Sequence, residues 1–98
     1  MIIEIGKPYK FKGVPEFVYS YPYTQKFLDE KEHFIDECVF ELKTDDIFLV
    51  LEVEPSNVNV EKPVFDFNYK ILANGKIGWY TKYIRDSFEK LFEEVPLT

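Results

Sequence analysis

The chain has 98 residues, which is enough for one domain with one hydrophobic core but not for two. Eighteen Asp and Glu against twelve Lys and Arg give a formal net charge of −6, which disfavours nucleic acid as a ligand because phosphate backbones attract basic surfaces. The longest apolar run, 47–51, is far shorter than the ~20 residues of a membrane helix. We therefore expect a single soluble domain over 1–98 with no membrane segment.

The single cysteine and the single histidine argue against metal and redox chemistry. One cysteine cannot form an internal disulfide, which fits a reducing compartment and predicts a cytoplasmic location. Zinc sites need more ligands than Cys38 and His33, so we expect no metal and no cofactor. Cys38 alternates with Phe40 and Leu42 and is predicted to be a core residue. His33 lacks a paired nucleophile and is predicted to lie on the surface, so we expect no enzymatic activity.

The first third of the chain predicts short strands followed by a long insertion. Met1–Ile5 and Tyr9–Lys12 are predicted strands, and 13–37 is interpreted as an insertion loop. Within it, the aromatic residues of 17–23 alternate with other residues, a period of two that is typical of a strand. Pro22 cannot donate a ladder hydrogen bond, so this segment is expected to be an edge strand or an extended loop.

The middle of the chain has the clearest strand pattern. Asp45 and Asp46 predict a turn, because Asp tolerates tight backbone and hydrogen-bonds it locally. Asn74-Gly75 predicts a two-residue hairpin, since both residues accept positive φ. These turns join four predicted strands: Cys38–Lys43, Ile47–Glu54, Val64–Leu72 and Lys76–Tyr80.

A helix is predicted at the end of the chain. Asp86-Ser87-Phe88-Glu89 matches a capping-box pattern in which Asp replaces the usual Ser or Thr. Five apolar residues then follow helical spacing: Ile84, Phe88, Leu91, Phe92 and Val95. This spacing predicts an amphipathic helix of about three turns over 86–95 that covers the sheet.

Two segments resemble the Src-homology-3 family of small β-barrels. Phe40–Glu52 resembles its strand, diverging turn and apolar second strand, with Asp46 at the family's Asp. Tyr69–Tyr80 is similar to its distal hairpin, with Gly75 and Gly78 at the positions of two family glycines. The resemblance is to bacterial and bacteriophage members and covers about 38–84. It implies a mainly β fold, a small Src-homology-3-like barrel or roll with a 38–84 core and a C-terminal amphipathic helix.

The chain departs from the family where eukaryotic members bind proline-rich peptides. Asp45 replaces a Gly, Asn68 stands where the groove Trp would fall, and Thr81-Lys82 stand where a Pro precedes the terminal Tyr. The resemblance therefore implies the fold and a protein-binding role without specifying a proline-rich ligand.

Aromatic residues are the predicted binding residues, because large and rigid aromatic side chains are enriched at protein interfaces. The alternative for these residues is plain packing against the sheet or the helix. The predicted set comprises Tyr19, Tyr21, Tyr23, Tyr69, Trp79 and Tyr80.

The sequence thus predicts a non-enzymatic protein-interaction module, such as a small accessory protein of a bacteriophage or bacterium, whose partner is a protein or peptide. The alternative is an acidic inhibitor that mimics nucleic acid and blocks a DNA-binding enzyme, which rests on the charge of −6. An enzymatic role would need a deep pocket with converging polar groups. The oligomeric state is left open.

Overall fold

The structure, a computed structural model, describes residues 3–22, 38–56 and 65–96. Strands make up 59% of these residues, so the prediction of a mainly β fold is confirmed. The strands are β1 (Pro8–Phe11), β2 (Glu16–Tyr19), β3 (Cys38–Leu42), β4 (Ile47–Pro55), β5 (Phe65–Ala73), β6 (Lys76–Tyr83) and β7 (Phe92–Glu94). The short helix α1 spans Phe88–Leu91, between β6 and β7.

The seven strands form one antiparallel sheet in the order β3-β2-β6-β5-β4-β1-β7, which curls into a half-barrel. The first and last described strands, β1 and β7, are neighbours although they are far apart in the sequence. β5 and β6 form the longest hairpin and lie at the centre of the order.

Both predicted turns form, and both use residues with positive φ. Asn74 and Gly75 have φ of 52° and 76° and join β5 to β6 as a two-residue hairpin. Asp45 has φ of 75°, in the turn between β3 and β4. The Lys43 amide donates to Asp46 Oδ2 at 2.9 Å, which is the local bonding expected of Asp in a turn.

The core lies on the concave face of the sheet and is rich in aromatic rings. Phe92 is at its centre, because its ring lies 5.3–6.5 Å from six neighbouring rings: Tyr9, Phe11, Phe48, Tyr69, Tyr80 and Phe88. The aliphatic residues Val18, Leu42, Val50, Ile71, Ala73 and Leu91 complete this cluster. Aromatic contacts of this kind stabilise beyond simple burial, so the last strand contributes strongly to the core.

The C-terminal helix is shorter than the predicted 86–95. α1 has four residues, and β7 occupies the positions where the pattern predicted further helical turns. Ser87 is the N-cap and makes no side-chain cap hydrogen bond, so the predicted capping box does not form. The reason is non-local, because β7 pairs with the edge of β1 and satisfies backbone groups that a helix would leave unpaired.

The N-terminal predictions are corrected in two respects. Ile3–Ile5 are not in a strand, and the first strand is β1. The segment predicted to be an edge strand contains β2, which is not an edge because it lies between β3 and β6. Its buried residue is Val18 rather than an aromatic residue, so Phe17 and Tyr19 point to the other face. The rest of the proposed insertion, 23–37, lies outside the described residues.

Candidate functional site

An aromatic groove lies on the outer face of the sheet, where β2 meets the open end of the β5–β6 hairpin. Tyr19 pairs with Trp79, so their side chains share a face opposite to that of the core residues Val18 and Tyr80. The groove has a volume of about 190 Å³ and is lined by Glu16, Phe17, Tyr19, Phe65, Thr81 and Tyr83.

Two pairs of aromatic rings form the walls of this groove. Phe65 and Tyr83 are cross-strand partners with ring centroids 4.7 Å apart. Phe17 and Tyr19 project from β2 with centroids 6.5 Å apart. Phe17 is 56% exposed although it is large and apolar, which distinguishes the groove from the dry core behind it. An exposed ring beside three half-buried rings, Tyr19, Phe65 and Tyr83, makes this groove a candidate interaction site.

The electrostatic character of the groove is acidic. Burial, followed by the negative charge of Asp86, raises the pKa of the Glu16 carboxyl, whereas Arg85 acts in the opposite direction. Arg85 Nε lies 3.8 Å from Asp86 Oδ2, and its guanidinium lies 4.6 Å from the centre of the Tyr83 ring. Glu16 is thus a carboxylate whose charge the protein itself does not fully compensate.

A buried cation braces the inner side of the groove wall. Lys82 is almost fully buried, and its ammonium lies 2.7 Å from Asp66 Oδ2 and 5.0 Å from the centre of the Phe88 ring. It also donates hydrogen bonds to the carbonyls of Tyr83 and Asp86. Because Asp66 follows Phe65 and Lys82 precedes Tyr83, this ion pair holds the two wall residues in register.

The floor next to the groove is polar. Asn68 is buried, and Thr81 Oγ1 donates to its Oδ1 at 2.8 Å. Behind the groove, on the inner side of the sheet, the Tyr69 hydroxyl and Asp66 Oδ1 are buried without a hydrogen-bond partner within the described ranges. Burial raises the pKa of the Tyr69 hydroxyl, with the nearby Asp66 charge acting in the same direction, so Tyr69 stays neutral.

The structure separates the six predicted binding residues into groups. Tyr19 lies in the groove, its cross-strand neighbour Trp79 is buried and does not line the groove, and Tyr21 is exposed just beyond β2. Tyr69 and Tyr80 lie in the core, so these two contribute to packing and present no accessible surface. Tyr23 lies outside the described residues.

Five of the six groove residues are absent from the predicted set: Glu16, Phe17, Phe65, Thr81 and Tyr83. Glu16 and Phe65 are far apart in the sequence and meet only because β2 and β5 both flank β6. The alternation along β6 carries a usable signal, since Thr81 and Tyr83 share a face with Trp79. Pairing that face with β2 requires the tertiary fold.

The predicted cysteine environment is corrected. Cys38 is exposed at the start of the edge strand β3, and its thiol bonds the Phe40 carbonyl at 3.3 Å. Leu42, at the other end of β3, takes the buried position because the strand enters the core only there. His33 lies outside the described residues. Among those that are described, no group of three or more His, Cys, Asp or Glu side chains could hold a metal ion.

The described part of the chain contains no helix with the length and apolar character needed to cross a membrane. Neither a protein-family model, nor a curated protein, nor a solved structure matches the chain. The proposals that follow therefore rest on the geometry of the chain itself.

Proposed function

We propose that the protein is a non-enzymatic interaction module whose aromatic groove binds a short extended segment of a partner protein. The observation that carries this proposal is a groove walled by four aromatic rings, with the partly buried carboxylate of Glu16 at its margin. A bound cation would compensate the charge of that carboxylate, whose pKa burial raises. The partner segment therefore presents a Lys or Arg side chain flanked by apolar residues.

The chemistry of the walls fits such a ligand. An ammonium or guanidinium group is attracted to the faces of Tyr and Phe rings, and its aliphatic stem packs on apolar surface. A hydrogen bond to a carboxylate is stronger than one between neutral groups. Arg85 on Tyr83 shows that this ring already accepts a guanidinium within the chain.

We propose in addition that the curled sheet is a Src-homology-3-like small barrel. The order β7-β1-β4-β5-β6, the turn at Asp45 and the hairpin at Asn74-Gly75 agree with the resemblance noted in the sequence. Asn68 stands where the family has its groove Trp and is buried, which argues against a proline-rich ligand.

The alternative of an acidic nucleic-acid mimic has less support. Such a mimic needs unpaired acid displayed on one face, whereas several described carboxylates have cationic partners. Ion pairs join Lys7 to Glu4 and Glu94, Lys10 to Asp45, Lys70 to Glu52 and Lys82 to Asp66. A cytoplasmic accessory role in a bacterium or bacteriophage remains part of the proposal and is inferred from the sequence alone.

A displayed library of random short peptides tests the groove. We expect enriched peptides to contain Lys or Arg next to apolar residues, and calorimetry to give binding that Glu16→Gln weakens by ~10-fold or more. Phe17→Ala should weaken it by about tenfold. Ile5→Ala is the matched control, because Ile5 is 64% exposed and lies outside the groove.

Two results would contradict the proposal. One is a library selection that enriches no peptide over an unrelated acidic protein. The other is an enriched peptide whose affinity is the same for Glu16→Gln, Phe17→Ala and Ile5→Ala, because binding would then take place elsewhere on the surface.

A further inference from the structure

A second part of the outer face of the sheet carries apolar side chains, although this face is turned towards solvent. Pro8, Leu49, Leu72 and Ile77 are consecutive cross-strand partners on β1, β4, β5 and β6. Paired residues share a face, and this face is opposite to that of the core residues Phe48, Ile71 and Ala73. We call these four residues the apolar row. It crosses four strands on the outer face.

The exposure of the row and its surroundings is typical of an interface. Ile77 is 50% exposed, and Ile47, two residues before Leu49 on the same face, is 54% exposed. Ion pairs flank the row on both sides, Lys10–Asp45 at 3.6 Å and Lys70–Glu52 at 3.9 Å. An apolar patch with a polar rim marks a site of protein association.

The positions of the flanking charges identify the occupant. Glu52 and Lys70 are cross-strand partners on β4 and β5, one row away from Leu49 and Leu72. A two-fold axis that runs along the strands, between β4 and β5, exchanges the positions of these two strands. Glu52 then faces Lys70 of a second copy, Leu49 faces its Leu72, and Pro8 faces its Ile77.

We propose that the apolar row is the interface of a homodimer, in which two sheets pack outer face to outer face about this axis. Glu52 and Lys70 of both copies form a square of alternating charges beside an apolar centre. An axis across the strands would instead set Glu52 against the apolar Ile47, so the charge pattern selects one arrangement. Because each sheet curls away from its outer face, the closest contacts lie at the axis, between Leu49, Leu72, Glu52 and Lys70, where face-to-face sheets are ~10 Å apart.

The dimer leaves the aromatic groove accessible. The row lies near the Asn74-Gly75 turn, whereas the groove lies at the other end of the β5–β6 hairpin, about 23 Å away for seven residues of strand from Leu72 to Phe65. Self-association and partner binding are therefore separate properties, and Glu16→Gln should leave the dimer unchanged.

Sedimentation of the full chain over a range of concentrations tests the dimer. We expect a monomer–dimer equilibrium that Ile77→Lys weakens by about tenfold or more. Ile84→Lys is the matched control, because Ile84 is 49% exposed and lies outside the row. It should dimerise like the unchanged chain, with circular dichroism confirming that both variants are folded.

Exchanging the charges of Glu52 and Lys70 distinguishes a contact between two copies from a loss of stability within one copy. Glu52→Lys and Lys70→Glu should each weaken self-association, because like charges then meet across the axis. An equimolar mixture of the two variants should form a heterodimer, since the lysine introduced in one copy then faces the glutamate introduced in the other. The ion pair within each chain remains broken in that mixture, so only a contact between copies can restore association.

Three results would overturn the proposal. The first is a chain that stays monomeric at every concentration tested. The second is equal dimerisation of Ile77→Lys and Ile84→Lys. The third is a mixture of the charge variants that associates no better than either variant alone, which would indicate that another protein covers the row.

Discussion

The two ends of the β5–β6 hairpin are built on different principles. At the turn end, the register from Asn68–Thr81 to Ala73–Lys76 is regular, and the strands close through a two-residue turn in open space. At the open end, the register shifts at Asp66 and a buried cation holds the strands. The first arrangement follows from local backbone preference, and the second depends on contacts between distant residues.

The difference has a functional meaning. The conformation of the turn end does not depend on contacts with other strands, and its outer face carries the apolar row. The open end places Glu16 in a groove where its charge is poorly compensated, at a cost to stability. Binding sites are commonly built from such locally unfavourable arrangements, because a ligand then restores what the free protein lacks.

The largest expected effect is at the open end. Lys82→Met leaves the Asp66 carboxylate without its ion partner and should lower the free energy of unfolding by ~3–5 kcal/mol, nearer the lower figure because the Asp66 side chain is 27% exposed. Urea unfolding measures this loss. The double variant Asp66→Asn with Lys82→Met should recover most of it, and a double variant no more stable than the single one would contradict the role of the ion pair.

A smaller effect is expected midway along the hairpin. A Cβ on Gly78 would lie 2.5 Å from Val18 Cγ1 and 3.0 Å from the Tyr19 carbonyl oxygen, so β2 would have to move. Gly78→Ala should therefore lower stability by ~1–3 kcal/mol. Combining it with Val18→Ala removes one of the two clashes, so the two changes should cost less together than the sum of their separate effects. Strict additivity would place the strain elsewhere.

At the turn end only the backbone should matter. A side chain on Gly75 meets nothing within 4 Å, but its φ of 76° disfavours residues with a Cβ. Gly75→Ala should lower stability by ~1 kcal/mol, as measured by thermal unfolding. Gly75→Asn is the control and should lose less, because Asn tolerates this conformation. An equal loss for both would mean that the turn is sensitive to side-chain size.

The smallest effect depends on pH. Because the folded-state pKa of Glu16 is raised above 4.5, its stabilising contribution is present in acid and is lost as the pH rises through the folded-state value. Glu16→Gln should therefore raise the melting temperature at about pH 7 and leave it unchanged at about pH 3. Calorimetric scans at both pH values measure this. A lower melting temperature at neutral pH would mean that Glu16 stabilises the fold.

Local signals account for the parts of the fold that were predicted correctly. Apolar and polar residues alternate from Cys38 to Glu54, and this pattern specifies strands. The Asn74-Gly75 pair specifies the turn between β5 and β6. Both signals depend on residues that are close in the sequence. The predicted C-terminal helix was too long. The spacing of Phe88, Leu91 and Phe92 fits a long helix, but it also fits one helical turn followed by a strand. The strand is favoured because it pairs with the free edge of β1, some eighty residues earlier in the sequence.

The candidate site was only partly predictable for the same reason. Tyr19 stood out by residue type and lines the groove, whereas Trp79, Tyr69 and Tyr80 stood out equally and are buried. Residue type does not reveal which face of a strand points inward. On β2 the smaller Val18 takes the inward position, and that choice follows from the close approach to Gly78 on β6.

The pairing of β1 with β7 has a mechanical consequence. Tyr9 lies opposite Glu94 and Phe11 lies opposite Phe92. The N-terminal end of β1 is therefore adjacent to the C-terminal end of β7. A force that separates these ends would unzip the ladder one hydrogen bond at a time rather than shear it as a whole. Peeling β7 away would also withdraw Phe92 from the centre of its ring cluster, so the domain should yield to weak pulling even where it resists heat.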